Sequence, residues 1–150
     1  MIRKLNLQDK DEATELLALQ KLSYRQEADL IGSDQIPPLH ETLEALQQST
    51  EIFYGYFLSS QLAGAVSYKR EGDLLDIYRM MVHPDFFRRG IARSLLQFVE
   101  GREPGIRRFI VSTGSLNTPA RTLYERQGFT ATSEEKIVPR LWITHFEKAL

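Results

Sequence analysis

Apolar positions along this chain switch between a period of two and a period near 3.6, and the switches mark the elements. Residues 2–7 read as a first strand. Asp9 then stands as an N-cap with Glu12 three positions on, an acidic variant of the capping box. Ala13, Leu16, Leu17 and Leu19 follow at helical spacing and predict a helix ending near Asp29. Residues 32–38 interrupt the pattern, because Pro37-Pro38 does not fit a helix interior. A short helix over 39–48 comes next. Runs of β-branched and aromatic residues at 52–58 and 62–68, joined by Ser59-Ser60-Gln61, predict a hairpin.

Residues 74–82 form another strand, followed by a sharp turn. The helix after it has Ala92, Leu95, Leu96 and Val99 as its inner face, spaced i, i+3, i+4, i+7. Residues 101–105 end it, with Pro104 as the stop. A strand over 109–113 leads to a helix capped by Asn117, with Pro119 in its first turn and Gly128 at its C′ position. That helix buries Ala120, Leu123, Tyr124 and Gln127. Strands near 129–136 and 141–146 close the chain. A strand–helix–strand crossover implies one parallel pair inside a largely antiparallel sheet. The predicted fold is therefore a mixed α/β (α+β) domain of about seven strands and about four helices. Without repeats or a linker, residues 1–150 read as one domain.

Composition narrows the function without choosing it. Hydrophobic residues make up 42% and charged residues 26%, as in ordinary globular proteins. A net charge of -1 with no long basic run argues against nucleic acid as the main partner. There is no apolar stretch of membrane-spanning length and no signal-peptide core, so the expectation is a cytoplasmic protein without a membrane partner. The absence of cysteine excludes disulfides, thiolate metal sites and a cysteine nucleophile. His40, His83 and His145 are scattered, and no metal is expected.

The run from Met81 to Ala92 carries the chemistry: a buried strand, a basic turn and a helix start. A helix N-terminus offers unpaired amides and about half a positive charge, which holds an anion without a dedicated side chain. Gly90 permits close backbone approach, and Arg88, Arg89 and Arg93 add positive potential. The turn matches neither a P-loop nor the three-glycine dinucleotide turn. It points to a pyrophosphate-bearing ligand; the competing reading is a solvated pair of arginines.

Val82-His83-Pro84 with Arg89-Gly90-Ile91-Ala92 resembles the acetyl-CoA-binding motif of the GNAT superfamily of N-acetyltransferases. The block from Asn117 to Phe129 resembles that family's second signature, N-x-x-A-x-x-L-Y-x-x-x-G-F. The two lie in the family's order and separation, and the likeness covers essentially the whole chain. One position departs: Phe87 stands where the family's loop carries Gln or Arg.

The resemblance implies a splayed parallel strand pair with the pantetheine arm of acetyl-CoA between them. Met80, Met81 and Val82 would lie beside that arm, and Arg88, Arg89, Gly90, Ile91 and Ala92 around the pyrophosphate. Asn117, otherwise only an N-cap, would touch the cofactor. It further implies direct attack of a primary amine on the thioester, with Tyr124 as general acid to the departing thiolate. A phenol of pKa ~10 is neutral at pH 7 and can donate to a thiolate of pKa ~8.5. Without the family, Tyr124 would be a core residue.

Asp76 falls where many relatives carry a glutamate base, and by period-two alternation it shares a face with Tyr78 and Met80. Where other relatives carry a glutamate in the next strand, this chain has Ser112, which cannot act as a base unaided. Residues 24–40 would wall the acceptor site and offer Glu27, Asp29 and Asp34 to a cationic amine. His145 and Trp142, on opposite faces of the last strand, are further candidates to line it. The expected acceptor is a small-molecule or peptide amine, and the expected assembly a monomer or homodimer. A non-catalytic acetyl-CoA sensor of the same fold is the alternative, and an unrelated scaffold the third reading.

Overall fold

The computed structural model describes residues 1–138 and 141–150. Strands β1 (Ile2–Lys4), β2 (Ile52–Leu58), β3 (Gln61–Glu71), β4 (Leu74–Val82), β5 (Arg108–Gly114), β6 (Thr130–Val138) and β7 (Leu141–Ala149) form one sheet. Its order is β1-β2-β3-β4-β5-β7-β6, and β4–β5 is the parallel pair. Helices α1 (Lys10–Ile31) and α2 (Leu43–Gln47) cover one face; α3 (Ile91–Glu100) and α4 (Thr118–Arg126) cover the other. This is the seven-stranded, four-helix mixed architecture expected from the sequence.

Local chemistry sets the boundaries. Asp9 caps α1 by accepting from the amides of Asp11 and Glu12. Glu12 does not close the capping box: its carboxylate takes the Asn6 amide and the Arg3 guanidinium instead. The helix runs to Ile31, beyond the expected end at Asp29, and stops where Gly32 turns left-handed at φ 72°. The single helix expected over 39–48 is two pieces. Pro37–His40 is a 3-10 turn, Glu41 is extended, and Thr42 caps α2 through its hydroxyl to the Ala45 amide. Glu41 is drawn out of helical geometry by Gln20 and Arg79, which both bind its carboxylate. The β2–β3 hairpin turns on Ser59 and Ser60, both at positive φ (47° and 70°), as a two-residue turn of the primed type requires.

The decisive irregularity is in β4. Ser67 of β3 pairs with Arg79 but Tyr68 pairs with Ile77, so Tyr78 is an extra residue bulged out of the ladder. A bulge exchanges the faces on either side of it. Leu75 and Ile77 point into the α3/α4 core, whereas beyond the bulge Met81 points into the α1/α2 core. Asp76 therefore shares its face with Arg79 and Met81, not with Met80 as regular alternation implied. The β4–β5 ladder ends at Ile77 opposite Val111, and the strands diverge from there.

Helix α3 buries Ile91, Leu95, Leu96 and Val99. Ala92, expected in that stripe, is only half-buried, because Ile91 takes the inward position. In α4 the expected stripe reduces to Tyr124, with Ala120, Leu123 and Gln127 half-buried. These exceptions share one cause: the flank of each helix that would close the core faces a cavity instead. Among the described residues, no helix is long and apolar enough to cross a membrane.

Candidate active site

Where β4 and β5 part, a cavity of about 1350 Å³ opens between the sheet, α1, α3, α4 and the chain's last hairpin. The backbone of β4 edges it. The His83 amide donates to the Ala63 carbonyl on β3 at 2.8 Å. Alternation then directs the Met81 amide toward β3 and the Met80 and Val82 amides into the gap. The Val82 amide donates to Ser23 Oγ on α1 at 3.2 Å, and the Met80 amide faces the Tyr24 hydroxyl. The side chains of Met80 and Val82 line the cavity, while that of Met81 is fully buried in the α1/α2 core and reaches it only through backbone.

The basic turn forms one end. Phe87, Arg88, Arg89, Gly90, Ile91, Ala92 and Arg93 all line the cavity. Gly90 is the N-cap of α3 at φ 74°, and no side chain caps the helix. Its first-turn amides thus face the cavity without a side-chain acceptor, and three guanidiniums stand around them. Arg88 itself is left-handed at φ 66°, a strained setting for a non-glycine residue. A Cβ on Gly90 would stand 3.3 Å from the Arg93 guanidinium, so a side chain there would enter the space between the amides and the arginines. This cradle suits a pyrophosphate. Phe87, which stands where Gln or Arg was expected, is nearly half exposed at 46%.

At the other end of the gap stands Tyr124, 3% exposed and held by the rings of Phe129 and Phe146 at centroid distances of 5.8 and 5.7 Å. Burial, and after it the charge of Glu27, pushes its phenol well above the ordinary range, so the group keeps its proton. Tyr24 on α1 is raised by burial first and then by Glu27 and Tyr124. The two hydroxyl-bearing rings thus share one environment beside one carboxylate. Glu27 Oε1 accepts from Thr113 Oγ1 at 3.1 Å and from the Gly114 amide at 3.4 Å. Asn117 caps α4 by accepting from the Ala120 amide at 3.3 Å and also lines the cavity.

The structure does not gather every candidate. Asp29 and Asp34 are exposed and do not line the cavity. Asp76 does not line it either, and the charge of Glu51 acts on it. Burial, and then the charge of Glu51, holds its carboxyl above the usual range, with Lys69 opposing. Ser112 lines the cavity and meets His145 Nδ1 at 2.6 Å, while His145 Nε2 lies 3.2 Å from Glu135. Trp142 lines a separate surface depression with Leu116 and Arg121.

Ser23 and Arg79 were not foreseen from sequence, and Tyr24 only as the edge of the 24–40 wall. Tyr24 and Ser23 meet the β4 backbone only because α1 crosses the gap. Arg79, 11% exposed, binds Glu51, Glu41 and Gln20 and ties the 37–41 wall to β4. A lone arginine amid the apolar run of β4 was the available signal.

Residues 19–150 match the family model described as an acetyltransferase (GNAT) domain. The chain belongs to the GNAT family. Solved structures share the GNAT fold across its length. The PaiA N-acetyltransferase of Thermoplasma acidophilum, in complex with coenzyme A, aligns with a TM-score of 0.79 at 20% identity, over 100% of this chain and 98% of that one. The ribosomal-protein-S18-alanine N-acetyltransferase of Escherichia coli aligns with a TM-score of 0.77 at 15% identity, over 99% and 92%. At these identities the likeness is one of fold. In sequence, this GNAT domain is 39% identical over 146 residues to the UPF0157 protein YqkA of Bacillus subtilis (strain 168). The match covers 97% of this chain but only 43% of that relative's length.

Proposed function

We propose that this GNAT domain transfers an acetyl group from acetyl-CoA to a primary amine by direct attack, with Tyr124 as general acid. The observation that carries the reading is one continuous cavity that joins the uncapped amides at Gly90 to the Tyr124 hydroxyl through the β4–β5 gap. The Arg88–Ala92 turn would hold the pyrophosphate on its amides, with Arg88, Arg89 and Arg93 neutralising charge. The inward amide of Met80 would edge the pantetheine arm and polarise the thioester carbonyl. Acetyl-CoA supplies the electrophile, an activated acyl carbon. Tyr124 holds the proton that a departing thiolate needs, and burial keeps water from supplying it instead.

The acceptor enters from the α1 side. Glu27 places one carboxylate inside the cavity, which attracts an ammonium group. Leu30, Tyr78 and Ile137 are large apolar side chains that are exposed yet line the same cavity. That combination suits an amine on an apolar body, with phenethylamine as the simplest probe and a peptide beginning with alanine as the second.

The test is CoA release from acetyl-CoA and phenethylamine by the wild-type chain and Tyr124→Phe. The expected loss of turnover is about 10²–10⁴-fold, the worth of a positioned general acid, with acetyl-CoA affinity unchanged. Undiminished turnover in Tyr124→Phe would remove the tyrosine from the chemistry.

A further inference from the structure

Primary amines are mostly ammonium at neutral pH, so transfer needs a group that takes a proton before attack. Asp76 does not line the cavity. Glu27 is in it, but already accepts from Thr113 and Gly114. What remains on the acceptor side is Ser112, an exposed residue of β5 that lines the cavity. Its hydroxyl lies 2.6 Å from His145 Nδ1 on the neighbouring β7, and His145 Nε2 lies 3.2 Å from Glu135 Oε2 on β6. The ladder fixes this row. Ser112 pairs directly with His145, and His145 with Ser133, two residues from Glu135 on the same side. The row stands on the face opposite the Val111–Phe146 pair, which belongs to the α3/α4 core.

The chemistry of the three groups sets the direction of the hydrogen bonds. A carboxylate can only accept, so His145 Nε2 carries the hydrogen and donates to Glu135. Nδ1 of the neutral ring is then the acceptor, and the Ser112 hydroxyl donates to it. The Ser112 oxygen keeps its lone pairs for a donor in the cavity, and an ammonium group is such a donor. A histidine buttressed by a carboxylate makes a serine hydroxyl a conduit for a proton, which a lone serine is not.

We propose that Ser112, His145 and Glu135 form the proton acceptor for the incoming amine, Ser112 touching the amine and His145 holding its proton. The proposal rests on the acetyl-transfer reading above. The ammonium N–H proton passes to Ser112 Oγ as the Ser112 hydroxyl proton passes to His145 Nδ1, leaving a neutral amine and an imidazolium paired with Glu135. The amine lone pair then forms the N–C bond to the acyl carbon and the C–S bond breaks. The thiolate takes the Tyr124 proton, and Tyr124 regains one from the second N–H of the attacking nitrogen. The imidazolium returns its proton to solvent, to which His145 is partly open with 37% of its side chain exposed.

Only the neutral form of an imidazole accepts a proton, so a relay through the ring makes the rate rise with pH. The groups facing the ring are Ser112 on β5, and Ser133 and Glu135 on β6. Along β7 itself, Ile143 and Glu147 flank it, the latter engaged by Arg108.

The experiment compares pH–rate profiles of the wild type, Ser112→Ala, His145→Gln and His145→Ala, with acetyl-CoA affinity measured alongside by calorimetry. Phenethylamine is the probe. Hydrolysis of acetyl-CoA is followed in the same samples, since water in that position needs the same base. Expected are a fall of about 10²-fold in turnover for Ser112→Ala and His145→Gln, loss of the rising limb, and unchanged acetyl-CoA binding. Added imidazole should restore part of the rate to His145→Ala, which a merely structural histidine would not allow. A rising limb retained in His145→Gln, with acetyl-CoA bound normally, overturns the relay alone. Failure of the wild type to bind acetyl-CoA overturns the relay together with the function it rests on.

Discussion

Replacing Arg79 by methionine keeps most of its apolar stem and removes the one cation between two nearly buried carboxylates. Arg79 donates to Glu51 from Nε and Nη2 at 3.0 Å each, and also binds Glu41 and the Gln20 amide oxygen at 2.9 Å. Side-chain exposures are 11% for Arg79, 8% for Glu51 and 17% for Glu41. Removing one partner of a buried pair costs about 3–5 kcal/mol, because the survivor is left charged and unmatched. Glu41 can swing toward water, which places the expected loss near the lower end, about 3 kcal/mol. For a chain of this size that is roughly 6–12 °C in Tm.

The pH dependence separates this cause from lost packing. Burial alone would raise the Glu51 carboxyl, but hydrogen bonds from Arg79 and Ser67 outweigh it and hold the group below the ordinary range. Glu51 therefore contributes stability that is present above its unfolded pKa of ~4.3 and is lost as pH falls through the lower folded value. In Arg79→Met the orphaned carboxyl rises instead and takes up a proton on mild acidification. The deficit should be largest at pH 7 and shrink toward pH 4, as read by urea unfolding at each pH. Because Gln20 also donates to the Pro38 carbonyl and Glu41, the 37–41 wall loosens, and the acceptor KM should rise while acetyl-CoA affinity holds. A deficit below about 1 kcal/mol, the level of a surface ion pair, and equal at both pH values would refute the reasoning.

Gly64→Ala places a Cβ 2.6 Å from Ile91 Cγ2 and 3.3 Å from Leu95 Cδ1. Carbon contacts settle near 3.5–4.0 Å, so the start of α3 must retreat by about 1 Å at a cost of about 1–3 kcal/mol. The first-turn amides of α3 move with it, and acetyl-CoA affinity should fall along with Tm; normal affinity at normal Tm would show that the turn does not depend on this contact. Asp76→Asn should stabilise the chain at pH 7. Burial, then Glu51, raises the folded carboxyl above its unfolded pKa, so the stability of the protonated form is complete below about pH 3.9 and lost as pH rises through the folded value. The amide avoids that loss. Destabilisation at pH 7, or an altered pH–rate profile, would contradict this placement of Asp76.

The framework was legible because its signals are local. The Pro104 stop, the Gly90 turn and the Asn117 cap each act within a few residues, and the strand and helix periods locate the sheet and its crossover. What was not legible depends on one inserted residue. The bulge at Tyr78 changes no composition and no period that a single strand reveals; it appears only when β3 and β4 are aligned. Yet it decides that Met80 leaves the face of Asp76 and that Arg79 enters the Glu41–Glu51 network. The Ser112–His145 contact was likewise hidden, since the two residues are far apart in sequence and β7 inserts between β5 and β6 in the sheet. The expected 39–48 helix failed because Glu41 has better partners across the molecule than within a helix.

The most direct test of the central claim is calorimetric titration of the wild-type chain and Gly90→Asp with acetyl-CoA, CoA and ATP. Acetyl-CoA and CoA are expected to bind the wild type with dissociation constants on the order of micromolar (about -8 kcal/mol), and ATP not to bind. Gly90→Asp should lose both ligands, because its carboxylate would stand where the phosphate belongs. Silence of the wild type toward acetyl-CoA, or full affinity in Gly90→Asp, would contradict the assignment of the β4–α3 turn as the pyrophosphate cradle.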